Sequence, residues 1–265
     1  MKDNILLTRT GAIATITINR PRQLNALDLE SAVSLRSILD QVTKPGETRA
    51  LLINANGGFF SAGGDIRYFE SAMVEDAGTR KSRFEQLIDA VHTSIQLIAE
   101  SPVPVIAAVR GGACGFSLNL LAACSVVVAS RNSMFNTAYM NLGVTHDGGG
   151  TWFLPRMIGL RKAMELFLLA ENFSAEQACA LGLVSSLLDE ENVEAEAFRI
   201  AEKLAQRPTA AYQKLATLLN QTFERSLHEQ LALEKASFLA CTETKDFQAG
   251  VNAFKNKQPA HFVGR

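Results

Sequence analysis

A chain of 265 residues, 47% of them apolar, is long enough to bury a large core and has the composition of an ordinary soluble globular protein. Its formal net charge of −1, with no basic run longer than two residues, argues against nucleic acid or an anionic membrane surface as the main partner. Cys114, Cys124, Cys179 and Cys241 form no C-x-x-C pair, which speaks against a zinc site and for reduced thiols among apolar neighbours.

The opening apolar run is too short for a signal peptide, and no stretch reaches membrane-spanning length, so a cytoplasmic protein is expected. Residues 4–8 and 12–18 read as short β-strands, with Gly11 turning between them and Pro21 ending the second. Asp28 stands at an N-cap position before a helical pattern that ends near Lys44, Pro45 and Gly46. Residues 50–54 form the next strand. Residues 74–81 are polar and suggest a mobile loop over a site. From 82 to 100, Phe84, Leu87, Ile88, Val91, Ile95 and Ile98 mark one face of a long helix, and His92 beside it reads as a packed or surface side chain.

An apolar run, 104–109, leads into Gly111, Gly112 and Gly115 and then into small and apolar residues at helical spacing. That is the pattern of a buried strand, a glycine-rich turn and a helix N-terminus, where unpaired N–H groups face outward. A second glycine cluster, Asp147-Gly148-Gly149-Gly150, follows with a carboxylate at its head. Beyond Thr151 the patterns are helical: 160–170, 174–181, 192–206, 209–223, 227–240 and 245–255. Strand and helix patterns alternating up to about Ala138 point to an α/β fold with a largely parallel sheet, and no linker cuts the chain into independent domains.

Together with F-F-S-A-G-G-D-I at 59–66, N-R-P-R-Q-L-N-A-L at 19–27 and the C-terminal F-K-N-K-Q-P-A-H-F-V-G-R, these stretches resemble the enoyl-CoA hydratase/isomerase (crotonase) superfamily. The segment D-G-G-G-T-W-F-L-P-R is closest to its ring-1,2-epoxyphenylacetyl-CoA isomerase branch. The resemblance implies a spiral core of ββα units with an acyl-CoA site over residues 1–200. It implies a helical trimerisation region over 201–265, in one continuous structural unit, and assembly as homotrimers or pairs of trimers. Coenzyme A would enter as part of the substrate, with no other cofactor and no metal.

An acyl-CoA thioester enzyme must hold charge on the thioester oxygen, and two convergent backbone N–H groups can do so without an ionisable residue. Carried over by resemblance, those donors fall on Gly64 and Phe116. The CoA- and substrate-facing segments fall on Gln23, Leu24 and Ala26, on Ala62, Gly63 and Asp65, and on Gly115. Asp65 is expected to use its side chain as a helix cap. Arg22, Lys255 and Lys257 are weaker candidates for phosphate contact, since exposed cations are usually just solvated.

The chain departs from the hydratase pattern at both positions where hydratases of this family carry glutamate. Here they are Asn119 and Tyr139, neither of which can activate water as a carboxylate does. Asp147 is the ionisable group left in the motif. Resemblance to the epoxyphenylacetyl-CoA isomerase, dienoyl-CoA isomerase and 4-chlorobenzoyl-CoA dehalogenase branches makes it the expected catalytic residue. His146 stands where proline is more usual. Asn119 and Tyr139 are expected to face substrate, with Asn119 orienting it or a water, and Trp152 and Phe153 to pack the core or the site wall. Three readings stay open: an isomerase with Asp147 as base, a dehalogenase- or hydrolase-type enzyme with Asp147 as nucleophile, and a non-catalytic acyl-CoA-binding protein.

Overall fold

The computed structural model describes residues 4–44 and 46–265, so Pro45 at the expected helix end and the first three residues of the N-terminal run lie outside the described residues. The chain folds as an α/β unit around a six-stranded sheet. Its strands are β1 (Ile5–Thr10), β2 (Ile13–Ile18), β3 (Ala50–Ala55), β4 (Val105–Val109), then β6 (Val126–Ser130) and β9 (Ser186–Leu188), in that spatial order. β1 and β2 form an antiparallel hairpin and every other pair is parallel. A smaller sheet joins β5 (Gly112–Cys114), β7 (Met134–Asn136) and β8 (Phe173–Ser174).

The large sheet is buried on both faces, as parallel sheets generally are. Along β3, Leu51 and Ile53 point into a core shared with α1 (Leu29–Val42), α3 (Ala77–Ala99) and α4 (Phe116–Ala123), while Ala50 and Leu52 point to the other side. There α8 (Val193–Ala205) lays Val193, Ala197, Ala201 and Ala205 on the sheet at a spacing of four. The division expected at 200/201 falls inside this helix.

Two expectations are corrected. Residues 74–81 are not a loop throughout, because Asp76 caps a helix that starts at Ala77. Its carboxylate accepts from the amides of Gly78 (2.9 Å) and Thr79 (3.1 Å), making α3 a helix of 23 residues. Its first turns carry no apolar stripe because they face solvent. The chain beyond Thr151 is not purely helical either, since β8 and β9 each complete a sheet. Strands of two and three residues are too short to show a period.

Past β9, α9 (Thr209–Asn220), α10 (Leu227–Thr242) and α11 (Lys245–Lys255) extend from the core. The tail is tied back to it. Arg49 donates to the carbonyls of Phe262 (2.9 Å) and Arg207 (2.7 Å), and the buried Asp246 accepts from the amides of Val263 (2.6 Å) and Gly264 (2.8 Å). No helix of the described residues is long and apolar enough to cross a membrane.

Candidate active site

Two turns meet at one edge of the core. The turn before α2 (Ile66–Met73) carries Gly63 and Gly64, and the turn between β5 and α4 carries Gly115 and Phe116. Ser61 bridges to Ala113 in parallel fashion, and the Cys114 amide donates to the Ser61 carbonyl at 3.0 Å. Ser117 locks the junction. Its hydroxyl lies 2.7 Å from the Ser61 carbonyl and 2.8 Å from the Cys114 carbonyl, and it accepts from the Cys114 amide at 2.8 Å. Gly63 is required by this closeness. Its φ is +86°, and a methyl there would lie 2.6 Å from the Cys114 carbonyl oxygen and 3.4 Å from the Phe116 nitrogen.

Between these turns the amides of Gly64 and Phe116 donate to nothing among the described residues. The Phe116 amide is moreover the first of α4, at the positive end of the helix dipole. Two free N–H groups on abutting turns can take a developing oxyanion. The aromatic ring of Phe69 on α2 covers Gly64 and packs edge-on against Phe84 of α3 at 5.1 Å, so these two helices roof the site.

A groove of about 460 Å³ runs past the turns and is lined by Gln23, Leu24, Ala26, Ala62 and Asp65 of the expected substrate-facing residues, together with Gly64, Cys114 and Ala138, whereas Gly63 and Gly115 do not line it. Asp65 is the helix cap expected of it. Its carboxylate is turned to the Arg67 amide (2.9 Å), capping α2, and to Arg20 (3.0 Å), which also pairs with Asp28 at 2.7 Å. It therefore supports the wall of the groove from inside the fold. Ser61, Ser117 and Arg20 escaped the sequence reading, since nothing local marks a residue whose partners lie in distant turns.

Asp147 sits at the mouth of α5 (Gly150–Ile158) and is half-buried. The Tyr139 hydroxyl donates to its Oδ1 in a very short hydrogen bond. Asn119, one turn into α4 from Phe116, donates through Nδ2 to the Asp147 carbonyl (2.9 Å) and to the Tyr139 hydroxyl oxygen (3.3 Å). The Asn119 amide nitrogen and the Tyr139 hydroxyl thus face Asp147. Gly150 has to be glycine for Asn119 to fit, because a methyl there would collide with the Asn119 amide.

Burial raises the proton affinity of Asp147 above the ordinary carboxylate range, against the opposing pull of the Tyr139 hydrogen bond and of His92 on α3. Burial, together with the Asp147 charge, keeps the Tyr139 phenol protonated. His146 is stacked between Tyr139 and Phe167, 4.4 and 4.1 Å centre to centre, and burial pushes its pKa down to about 4. It is neutral at pH 7. His92 lies exposed on α3. Arg156 stacks over Trp152 at 4.1 Å, and Trp152 and Phe153 help line a separate cleft of about 710 Å³ between α3, α5 and α9.

Two free amides, a flanking groove and the half-buried Asp147 carboxylate thus lie on the turns that lead into α2, α4 and α5. The chain belongs to the enoyl-CoA hydratase/isomerase family, whose sequence pattern matches residues 8–265. It is 33% identical to a probable enoyl-CoA hydratase of Rhodobacter capsulatus, over 96% of this chain and 95% of that one. It is 32% identical to the 1,2-epoxyphenylacetyl-CoA isomerase of Escherichia coli over the full length of both. Among solved structures, an enoyl-CoA hydratase from Bacillus anthracis superposes with a TM-score of 0.91 at 29% identity, covering 99% of this chain and all of that one.

Proposed function

We propose that this chain is an acyl-CoA isomerase, acting on a double bond or an epoxide ring, with Asp147 as its base; for a double bond, Asp147 moves a proton along the acyl group. The observation that carries this reading is the state of the three candidate positions. One carboxylate remains, and of the residues at the two hydratase glutamate positions Tyr139 donates to that carboxylate, while Asn119 donates to the Asp147 backbone carbonyl and to the Tyr139 hydroxyl.

The thioester carbonyl oxygen accepts the Gly64 and Phe116 amides, and the coenzyme portion follows the groove past Gln23, Leu24 and Ala62. The carboxylate of Asp147 takes a proton from carbon, the electron pair moves onto the thioester oxygen, and the two amides hold the enolate. The protonated Asp147 then returns a proton at a different carbon, so the base is regenerated and no water is added. A carboxyl group with raised proton affinity suits both halves of this cycle, because it takes the proton and also gives it back.

Asp147→Asn keeps the shape and removes the base. CoA-ester binding should persist while isomerisation falls at least about 100-fold. In deuterated solvent the parent should exchange acyl-chain protons and the variant should not. Crotonyl-CoA should be hydrated only at trace rates, and a turnover on the order of 10 per second would contradict the reading. Equal isomerisation and exchange by parent and variant would reduce Asp147 to a turn residue.

A further inference from the structure

From the closed triangle of Asn119, Tyr139 and Asp147 we infer that Tyr139 is the positioning residue of the base, holding one carboxylate oxygen of Asp147 so that the other is presented to substrate. The inference rests on the reading of Asp147 as a base and extends it to the residue that governs that base.

Three elements that are separate in sequence meet in the triangle. Asn119 belongs to α4, the helix whose first amide is the free Phe116 donor. Tyr139 opens the 3-10 turn Tyr139–Leu142, and Asp147 leads into α5. The Asn119 side-chain amide is a two-proton donor and reaches both partners, the Tyr139 hydroxyl oxygen and the Asp147 carbonyl. With its oxygen occupied by Asn119, the Tyr139 hydroxyl is directed at Asp147 Oδ1. Tyr139 itself is buried, its ring held by His146, so the hydroxyl has little freedom to turn elsewhere. The base is therefore held in register with the helix that supplies one oxyanion donor. That register is what a proton transfer along a chain fixed at its thioester end requires.

The same hydroxyl has an electrostatic effect. A donor to a carboxylate favours the charged form, so Tyr139 offsets part of the burial of Asp147. The other titratable or charged groups around Asp147 are His92 from α3 and the neighbouring, neutral His146, whereas α4 presents the uncharged Asn119. Arg156 of α5 is turned to Trp152 and Glu224. Loss of the Tyr139 hydroxyl is thus a change in one identifiable contribution.

The test is Tyr139→Phe in the full chain, read on an acyl-CoA that the parent isomerises. The expected result is a kcat lower by roughly 10- to 100-fold with little change in KM. The acid limb of kcat/KM should also move to higher pH, because the active base is the deprotonated form and its proton affinity rises without the donor. Site-specific 3-fluorotyrosine at 139, a stronger donor of nearly the same shape, should move that limb to lower pH. It decides the question should the Phe variant fail to fold. A purely structural Tyr139 would give no such opposed shifts. Unmoved limbs in both variants would overturn the inference, and so would a Phe variant with parental kcat. An Asp147→Asn variant that stays active would instead overturn the isomerase reading beneath it, so the two failures are distinct.

Discussion

His146 holds a buried imidazole whose two nitrogens find no hydrogen-bond partner among the described residues. Its environment is two aromatic faces, Tyr139 and Phe167, and burial lowers its pKa to about 4 from the ordinary value of about 6.5. Between pH 4 and 6.5 the unfolded chain therefore binds a proton that the folded chain refuses. The contribution to stability is complete above about pH 6.5 and is lost as pH falls through this window. Asp147 next door has the opposite sign, because a carboxyl group with raised proton affinity is better tolerated folded when protonated. Comparing His146→Phe with the parent cancels that second contribution. The Phe variant should lose less Tm than the parent between pH 7 and pH 5, measured by calorimetry. Equal losses would mean that the imidazole is solvated.

At the scale of elements, the oxyanion site depends on two turns that share hydrogen bonds rather than on either turn alone. Ser117 is 1% exposed, and its hydroxyl meets the carbonyls of Ser61 and Cys114 and the Cys114 amide. Ser117→Ala leaves those buried groups short of a partner and should cost about 1–3 kcal/mol in chemical denaturation. With the Gly64 and Phe116 amides held in register only by the backbone bonds around Ser61, kcat should fall roughly 10-fold or more while CoA binding holds. A folded Ser117→Ala enzyme with parental kcat would show that the turns keep their register without it.

What could be read beforehand follows from the range of the interactions. The Asp28 and Asp65 caps, the glycine turns and the parallel strands rest on neighbours within a few residues or on a simple period, and they are visible in the sequence. The first turns of α3, the strands β8 and β9, and the Ser61–Ser117 lock depend on solvent-facing helix or on partners up to 58 residues away. The identities of Asn119 and Tyr139 told against a hydratase. That their polar groups turn to Asp147 emerges only when α4, the 139–142 turn and α5 are brought together.

At the scale of the whole molecule, α10 is the element out of balance. It runs for 16 residues with a capping box at Ser226 and Glu229, yet no residue along it is buried. Leu227, Leu231, Phe238 and Leu239 are more than half exposed, and Phe254 on α11 is 89% exposed. Helices in globular proteins owe most of their stability to a buried apolar face, and contiguous apolar surface of this kind marks an interface. We expect α10 and α11 to be covered by further copies of this chain, giving the trimer or pair of trimers that the family resemblance implies. Sedimentation at micromolar concentration should return a mass of three or six chains. Replacing Leu231 and Phe238 together by Glu would place charge in the interface, and should shift the species toward monomer and lower Tm. Because α10 contributes nothing to the buried core of the chain, the monomer's sheet and its two glycine turns should stay folded, as far-UV circular dichroism can check. A parent protein that sediments as a single chain would mean that α10 is held by its caps and its contacts to α9 and α11 alone.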